Sequence, residues 1–146
     1  MAAVIENRLP TPDEYWLLKT GIGEDHYLLR ESVPTALHHS LFGVIATVEG
    51  EIVGCGRLVG DGAMFCYLQD VMVLPRFHRQ GIGTLIVDSL MAWIDSNMPE
   101  KIYIGLFTRE ELHGFYARYS FRGSAEFLYG MCAKKRTGHH SIQRAK

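Results

Sequence analysis

The sequence lacks a long apolar run. The longest, Leu41 to Val48, is far too short for a helix that crosses a bilayer, which excludes a membrane role of that kind. It also lacks an excess of either charge: the formal net charge is −1, so there is no global pull towards nucleic acid or an anionic membrane. Cysteine is scarce. Cys55, Cys66 and Cys132 are odd in number and show no close-paired spacing, which excludes a disulfide framework or zinc site and reads as reduced core thiols. His38 and His39 are adjacent, and neighbours on a helix point in different directions, so no metal is expected there. No charged-then-apolar leader opens the chain, and the expected compartment is cytoplasmic. Internal repeats and interdomain linkers are missing as well. Acids are absent beyond Glu126, where Lys134, Lys135, Arg136, Arg144 and Lys146 make a basic end.

What is present is ordinary for a globular chain: 47% apolar and 21% charged residues over 146 positions, enough for one buried core. The expected organisation is a single domain over residues 1–133 and a solvated, disordered tail over 134–146. Val4 to Leu9 reads as a first strand. Thr11-Pro12-Asp13-Glu14 predicts a helix start, with Thr11 as N-cap, Pro12 at the first helical position and Glu14 closing a capping box. That helix stops at Gly21, and a second helical region runs to Ser40, broken near Pro34. Leu41–Val48 and Glu51–Val59 form a hairpin turning at Glu49-Gly50, and Asp61-Gly62 turns the chain again into Met64–Leu74. Ile102 to Phe107 is a strand, Glu110 to Tyr119 a short helix, and Phe121 onward returns as one or two strands through Phe127 and Met131 to Ala133. The fold class is α+β, a three-layer arrangement. Its sheet is mixed and mostly antiparallel, of six to seven strands, with helices on both faces.

Tyr67 to Asn97 organises the rest. Tyr67–Leu74 is β-rich and ends at Pro75, which has no N–H for a ladder. The turn His78-Arg79-Gln80-Gly81-Ile82-Gly83 follows, and then Ile82, Leu85, Ile86, Leu90, Trp93 and Ile94 recur at helical spacing. Such a helix of about sixteen residues is roughly 24 Å long. Strand, glycine turn and helix start together make an anion site, because the first N–H groups of a helix lack partners and carry the positive end of its dipole. Gly81 and Gly83 leave the backbone open to a phosphate. The turn is not a Walker loop, since Thr84 follows Gly83 where lysine is needed. Nor is it a dinucleotide fingerprint, since Ile86 stands where a third small residue is needed.

The stretch resembles motif A of the GNAT superfamily, the acyl-CoA-dependent N-acetyltransferases, whose pattern is Arg/Gln-x-x-Gly-x-Gly/Ala after a strand ending in Val-x-x-Pro. Val71-Met72-Val73-Leu74-Pro75 and the glycine pair match it, and Phe115-Tyr116-Ala117-Arg118-Tyr119-Ser120-Phe121 is similar to the family's Phe/Leu-Tyr-x-x-x-Gly-Phe. His78 stands where Arg or Gln is usual, and Ser120 replaces the turn glycine. The resemblance covers roughly residues 4 to 133. It implies acetyl-CoA as co-substrate, without a metal, and a splayed pair of parallel strands, Tyr67–Leu74 and Ile102–Phe107, that takes the pantetheine arm. Val71, Met72 and Val73 would hold the arm and polarise the thioester carbonyl. His78, Arg79, Gln80, Gly81, Ile82, Gly83 and Thr84 would hold the pyrophosphate, with Arg79 either in contact or solvated.

Tyr116 matches the family's general acid for the departing thiolate, a phenol suited to return a proton to sulfur. The base is open. The family often places it at the positions of Tyr67 and Gln69, neither a useful base, so a water relay or a carboxylate of Glu24-Asp25 stays available. Strand alternation would point Asp70 away from Gln69, to hydrogen-bond backbone across the sheet. The expected substrate walls are Tyr15 to Tyr27 and Phe127 to Met131, with Tyr27, Gln69 and Tyr129 the named contacts. The expected partner is a small-molecule primary amine ahead of a peptide or protein amine, with no nucleic acid or membrane and a homodimer left open. Two rival readings stand beside this one: a sensor that binds CoA without turnover, and nucleic-acid binding through the basic tail.

Overall fold

A computed structural model of the chain describes residues 2–123, 130–133 and 135. They fall into two compact units, Met1–Leu106 and Phe107–Lys146.

In the first unit, β1 (Val4–Glu6) is shorter than the expected Val4–Leu9, because the chain folds back with Arg8 N–H on the Glu6 carbonyl at 3.0 Å. Helix α1 (Pro12–Gly21) starts as its sequence predicts: Thr11 caps it by accepting from the Glu14 N–H at 3.2 Å. The Glu14 carboxylate does not close the box; it accepts from Arg8 at 3.3 Å. Two short 3₁₀ turns, Asp25–Tyr27 and Arg30–Ser32, lead to α2 (Val33–His38). Pro34 lies in the first turn of α2, so it begins the helix it was expected to break.

Strands β2 (Phe42–Val48), β3 (Glu51–Gly60) and β4 (Phe65–Val73) follow as antiparallel neighbours. Glu49 (φ 51°) and Gly50 (φ 79°) are both left-handed, the turn geometry that matches strand twist. At the next turn the Asp61 carboxylate accepts from the N–H groups of Ala63, Met64 and Phe65 at 2.7–3.0 Å. Helix α3 (Ile82–Asn97) crosses over to β5 (Tyr103–Gly105), parallel to β4. The strand order is sequential, β1-β2-β3-β4-β5.

The sheet thus has five strands among the described residues, where six to seven were expected. Residues 121–123 and 130–133 are not strand, and 124–129, with Phe127 and Tyr129, lie outside the described residues.

Helices cover both faces of the sheet. Tyr15, Leu18, Val33 and Leu37 of α1 and α2 pack with Ile45, Cys55 and Met72 on one face. On the other, α3 buries Ile82, Ile86, Leu90 and Ile94, while Trp93 stacks on Phe42 with centroids 4.8 Å apart. Leu85, expected on that apolar side, is exposed. Cys55 and Cys66 are buried, but Cys132 is exposed and is no core thiol.

Helix α3 sits close because β3 offers it Gly54 and Gly56. A Cβ on Gly54 would lie 2.6 Å from the Met72 carbonyl oxygen and 3.1 Å from Ile86 Cδ1. Backbone cannot yield as a side chain can, so Gly54→Ala is expected to cost about 1–3 kcal/mol. At about 2–4 °C per kcal/mol for a chain of this size, thermal unfolding should come several degrees early. An unchanged melting temperature would contradict this packing.

In the second unit, a 3₁₀ turn (Glu110–Leu112) leads into α4 (His113–Ala117), shorter than the expected Glu110–Tyr119. Tyr119 and Ser120 donate to the carbonyls of Tyr116 and Ala117, which tightens the last turn, and Ser120 ends it at φ 67°. Ser120 therefore adopts the left-handed conformation for which glycine is the usual choice.

Candidate active site

The open edge of β4 comes first. Pairing with β5 runs Phe65↔Tyr103, Cys66↔Ile104 and Tyr67↔Gly105, and there it stops. Beyond Tyr67, β4 has no strand partner on that side among the described residues. On the other side the Leu74 N–H reaches the Val53 carbonyl at 2.8 Å, and Met72 is paired with Cys55. Backbone groups alternate along a strand, so Val71 and Val73 turn theirs to the open edge. Met72 turns its backbone to β3 and its buried side chain into the core.

Between the pairs Cys55↔Met72 and Arg57↔Gln69, β3 contributes only Gly56 while β4 contributes Asp70 and Val71. This is a β-bulge, and Asp70 sits in it at φ 54°. The bulge corrects the expectation from strand alternation: Gln69 lies opposite Arg57, and Arg57 also bonds Asp70, so Gln69 and Asp70 share one face. Gln69 is exposed there, whereas the Asp70 side chain is nearly inaccessible. Nor does the Asp70 carboxylate serve cross-sheet backbone. One oxygen lies 3.1 Å from Lys19 Nζ; the other accepts from Arg57 Nε at 2.7 Å and the Tyr15 hydroxyl at 3.0 Å. Lys19 also donates to Glu24 at 3.3 Å, which occupies one of the carboxylates considered as a base. Arg57 also reaches the Ser40 hydroxyl and the Ala36 carbonyl, at 3.1 and 3.3 Å.

Tyr15, expected to line the substrate pocket, is instead a core residue, 3% exposed. Burial, reinforced by Asp70, pushes its phenol well above the ordinary 10.0, and burial pushes the Cys55 thiol above 9.0. Both folded-state pKa values are raised, so the fold holds protons that the unfolded chain releases. Their stabilisation is complete below the unfolded values and is lost as pH climbs through the folded ones. Unfolding free energy should therefore fall above about pH 9–10, by up to roughly 1.4 kcal/mol per pH unit for each group. Urea unfolding of Tyr15→Phe between pH 8 and 11 should show a flatter decline; an identical slope would contradict the assignment.

The turn after β4 holds the second half of the site. Pro75–Phe77 is a 3₁₀ turn, and His78 N–H bonds the Pro75 carbonyl at 3.1 Å. His78 Nε2 lies 2.8 Å from the Val73 carbonyl, which can only accept, so this ring donates to the open edge of its own strand. Arg79 (φ 62°) and Gly81 (φ 80°) are left-handed, with Gln80 between them outside that region. Alternation of this kind turns successive N–H groups into one concavity that suits an anion. Helix α3 begins with its first internal bond from Leu85 N–H to the Gly81 carbonyl, so the N–H groups of Ile82 and Gly83 precede it. Gly81 supplies no capping side chain, and the first turn holds no acid. The Ile82 side chain is buried, and Thr84 is half-buried in the same turn. Nothing lies within 4 Å of where a Gly81 Cβ would be, so this glycine answers to its φ and to open space.

Tyr116 lies in the second unit, 8% exposed, edge-on to Phe115 at 4.9 Å and Phe121 at 6.1 Å. Burial raises the pKa of its phenol. Tyr27 is exposed in the first unit, its ring 4.1 Å from that of His26. Tyr129 lies outside the described residues. Sequence reasoning missed Lys19 and Arg57. The only signal was a lysine and an arginine set in otherwise apolar stretches of helix and strand.

No group of three potential metal ligands, and no helix long and apolar enough to cross a membrane, occurs among the described residues. Residues 39–123 match the acetyltransferase (GNAT) domain family. A GNAT-family acetyltransferase from Streptococcus pneumoniae is 29% identical, with a TM-score of 0.78 over 92% of this chain and 99% of that one. A protein of unknown function from meticillin-resistant Staphylococcus aureus is 25% identical, with a TM-score of 0.83 over 92% and 100%. An uncharacterized N-acetyltransferase from Chlorobaculum tepidum is 21% identical over 58% of this chain and 54% of its own length. The GCN5-related N-acetyltransferase 3, chloroplastic, of Arabidopsis thaliana is 40% identical over 32% of this chain and 20% of its own. The chain thus spans about half, or less, of the curated relatives it matches. With the family match spanning more than half of its length, this chain belongs to the GNAT acetyltransferase family.

Proposed function

We propose that the protein moves an acetyl group from acetyl-CoA directly to a primary amine of a small molecule. The observation that carries this is a sixteen-residue helix whose start has neither a capping side chain nor an acid, set directly after a strand with an open edge. A helix start left bare in this way suits an anion such as a pyrophosphate. Acetyl-CoA supplies the thioester and its thiolate leaving group. The backbone from Arg79 to Thr84 holds the phosphates. Val71 and Val73 hold the amide-bearing arm, and the Val71 N–H takes up charge that develops on the thioester oxygen. The incoming amine forms the new C–N bond, the C–S bond breaks, and Tyr116 returns a proton to sulfur. The proton lost by the amine leaves through water. Tyr27 and Gln69, both exposed, are the residues that would meet the amine.

The test is release of free thiol from acetyl-CoA against a panel of small primary amines, with the acetylated amine identified by mass. The expected result is release that depends on one amine class. Binding of acetyl-CoA without release in the presence of any amine would favour the sensor reading and overturn this one.

A further inference from the structure

Asp70 is a left-handed residue inside a strand, a conformation that Asp enters more readily than most L-residues but keeps within a ladder only where its surroundings fix it. Its surroundings do. The side chain is 4% exposed, and both oxygens are engaged, by Lys19 and Tyr15 from α1 and by Arg57 from β3. Each donor is anchored in turn: Tyr15 by burial in the core, Lys19 on Glu24, and Arg57 on Ser40 and the Ala36 carbonyl. The residue that follows is Val71, whose backbone faces the open edge. The conformation at residue 70 sets the plane of the peptide linking the two, and so the direction of the Val71 N–H.

We propose that Asp70 is a positioning residue for acyl transfer. Its carboxylate, clamped by Tyr15, Lys19 and Arg57, holds the bulge so that the Val71 N–H is aimed at the thioester carbonyl. This rests on the reading of the open β4 edge as the acyl site. The clamp never touches substrate; it acts through one peptide plane, so its loss should weaken carbonyl polarisation and turnover while leaving CoA binding in place.

The experiment is isotope-edited infrared spectroscopy of acetyl-CoA, labelled at the thioester carbonyl and bound to the full chain, alongside kcat and KM. In the parent protein the bound carbonyl should absorb below the free value. Asp70→Asn, a residue that also tolerates the left-handed region, should lose most of that shift. Its kcat should fall roughly 10- to 100-fold, up to the effect of losing an oxyanion donor, while the KM for acetyl-CoA and the Kd for CoA stay within about threefold. Tyr15→Phe removes one bond to the carboxylate and keeps the ring, so it decides the matter if Asp70→Asn does not fold. It should show a smaller loss in the same direction. A parent protein with no carbonyl shift would overturn the acyl-site reading and this proposal together. A shifted parent whose folded variants keep the full shift and full kcat would overturn the proposal alone.

Discussion

CoA is expected to raise the melting temperature of the parent protein, and Gly81→Glu is expected to abolish that rise. Ligand at about a hundred times its dissociation constant stabilises a protein by roughly 2.7 kcal/mol. At about 2–4 °C per kcal/mol this is a rise of roughly 5–10 °C. Glutamate would set bulk and negative charge in the concavity that backbone N–H groups and the α3 dipole make favourable for an anion. The space beside Gly81 is open, so a Cβ there meets no neighbouring residue. The left-handed φ of 80° would cost an L-residue about 1–2 kcal/mol. Gly81→Ala carries the same backbone cost without the charge, and it should keep most of the CoA response. If Gly81→Glu is folded and its melting temperature rises as much with CoA as the parent's, the turn is not the phosphate site.

Tyr116→Phe is expected to lose kcat by roughly 10²-fold or more with little change in CoA affinity. The substitution removes one oxygen and leaves a ring to pack between Phe115 and Phe121. If Tyr116 protonates the departing thiolate, its bond to sulfur strengthens only as charge develops. The loss then falls on turnover and not on binding. Burial raises the pKa of its phenol above the ordinary 10.0, so the hydroxyl keeps its proton across neutral pH, and the alkaline limb of kcat should lie above that value. In the Phe variant that limb should move or vanish. A variant with kcat within about threefold of the parent and an unmoved limb would remove Tyr116 from the mechanism.

Local chemistry made much of this legible. Thr11 and Pro12 mark the start of α1, Glu49-Gly50 has the two left-handed residues a tight hairpin needs, and Pro75 ends β4. Helix α3 starts where the glycine pair and its apolar period place it. What stayed hidden depends on pairing across the sheet. The run Ile102–Phe107 is apolar throughout its first half, yet only Tyr103–Gly105 forms ladder, because β4 and β5 part after Tyr67. The bulge has no mark in the sequence, since Asp70 takes the conformation for which glycine would have been the clue. A buried carboxylate must be paired, but Lys19 and Arg57 lie on other elements, and only the fold brings them to it.

The most direct measurement is the set of backbone amide NMR shifts when CoA is titrated into the labelled protein. The largest changes should fall on Val71, Val73 and the run from Arg79 to Thr84, with Gly81 and Gly83 among them. Changes concentrated elsewhere, with those amides unmoved at saturation, would contradict the placement of CoA along the open edge of β4 and on the start of α3.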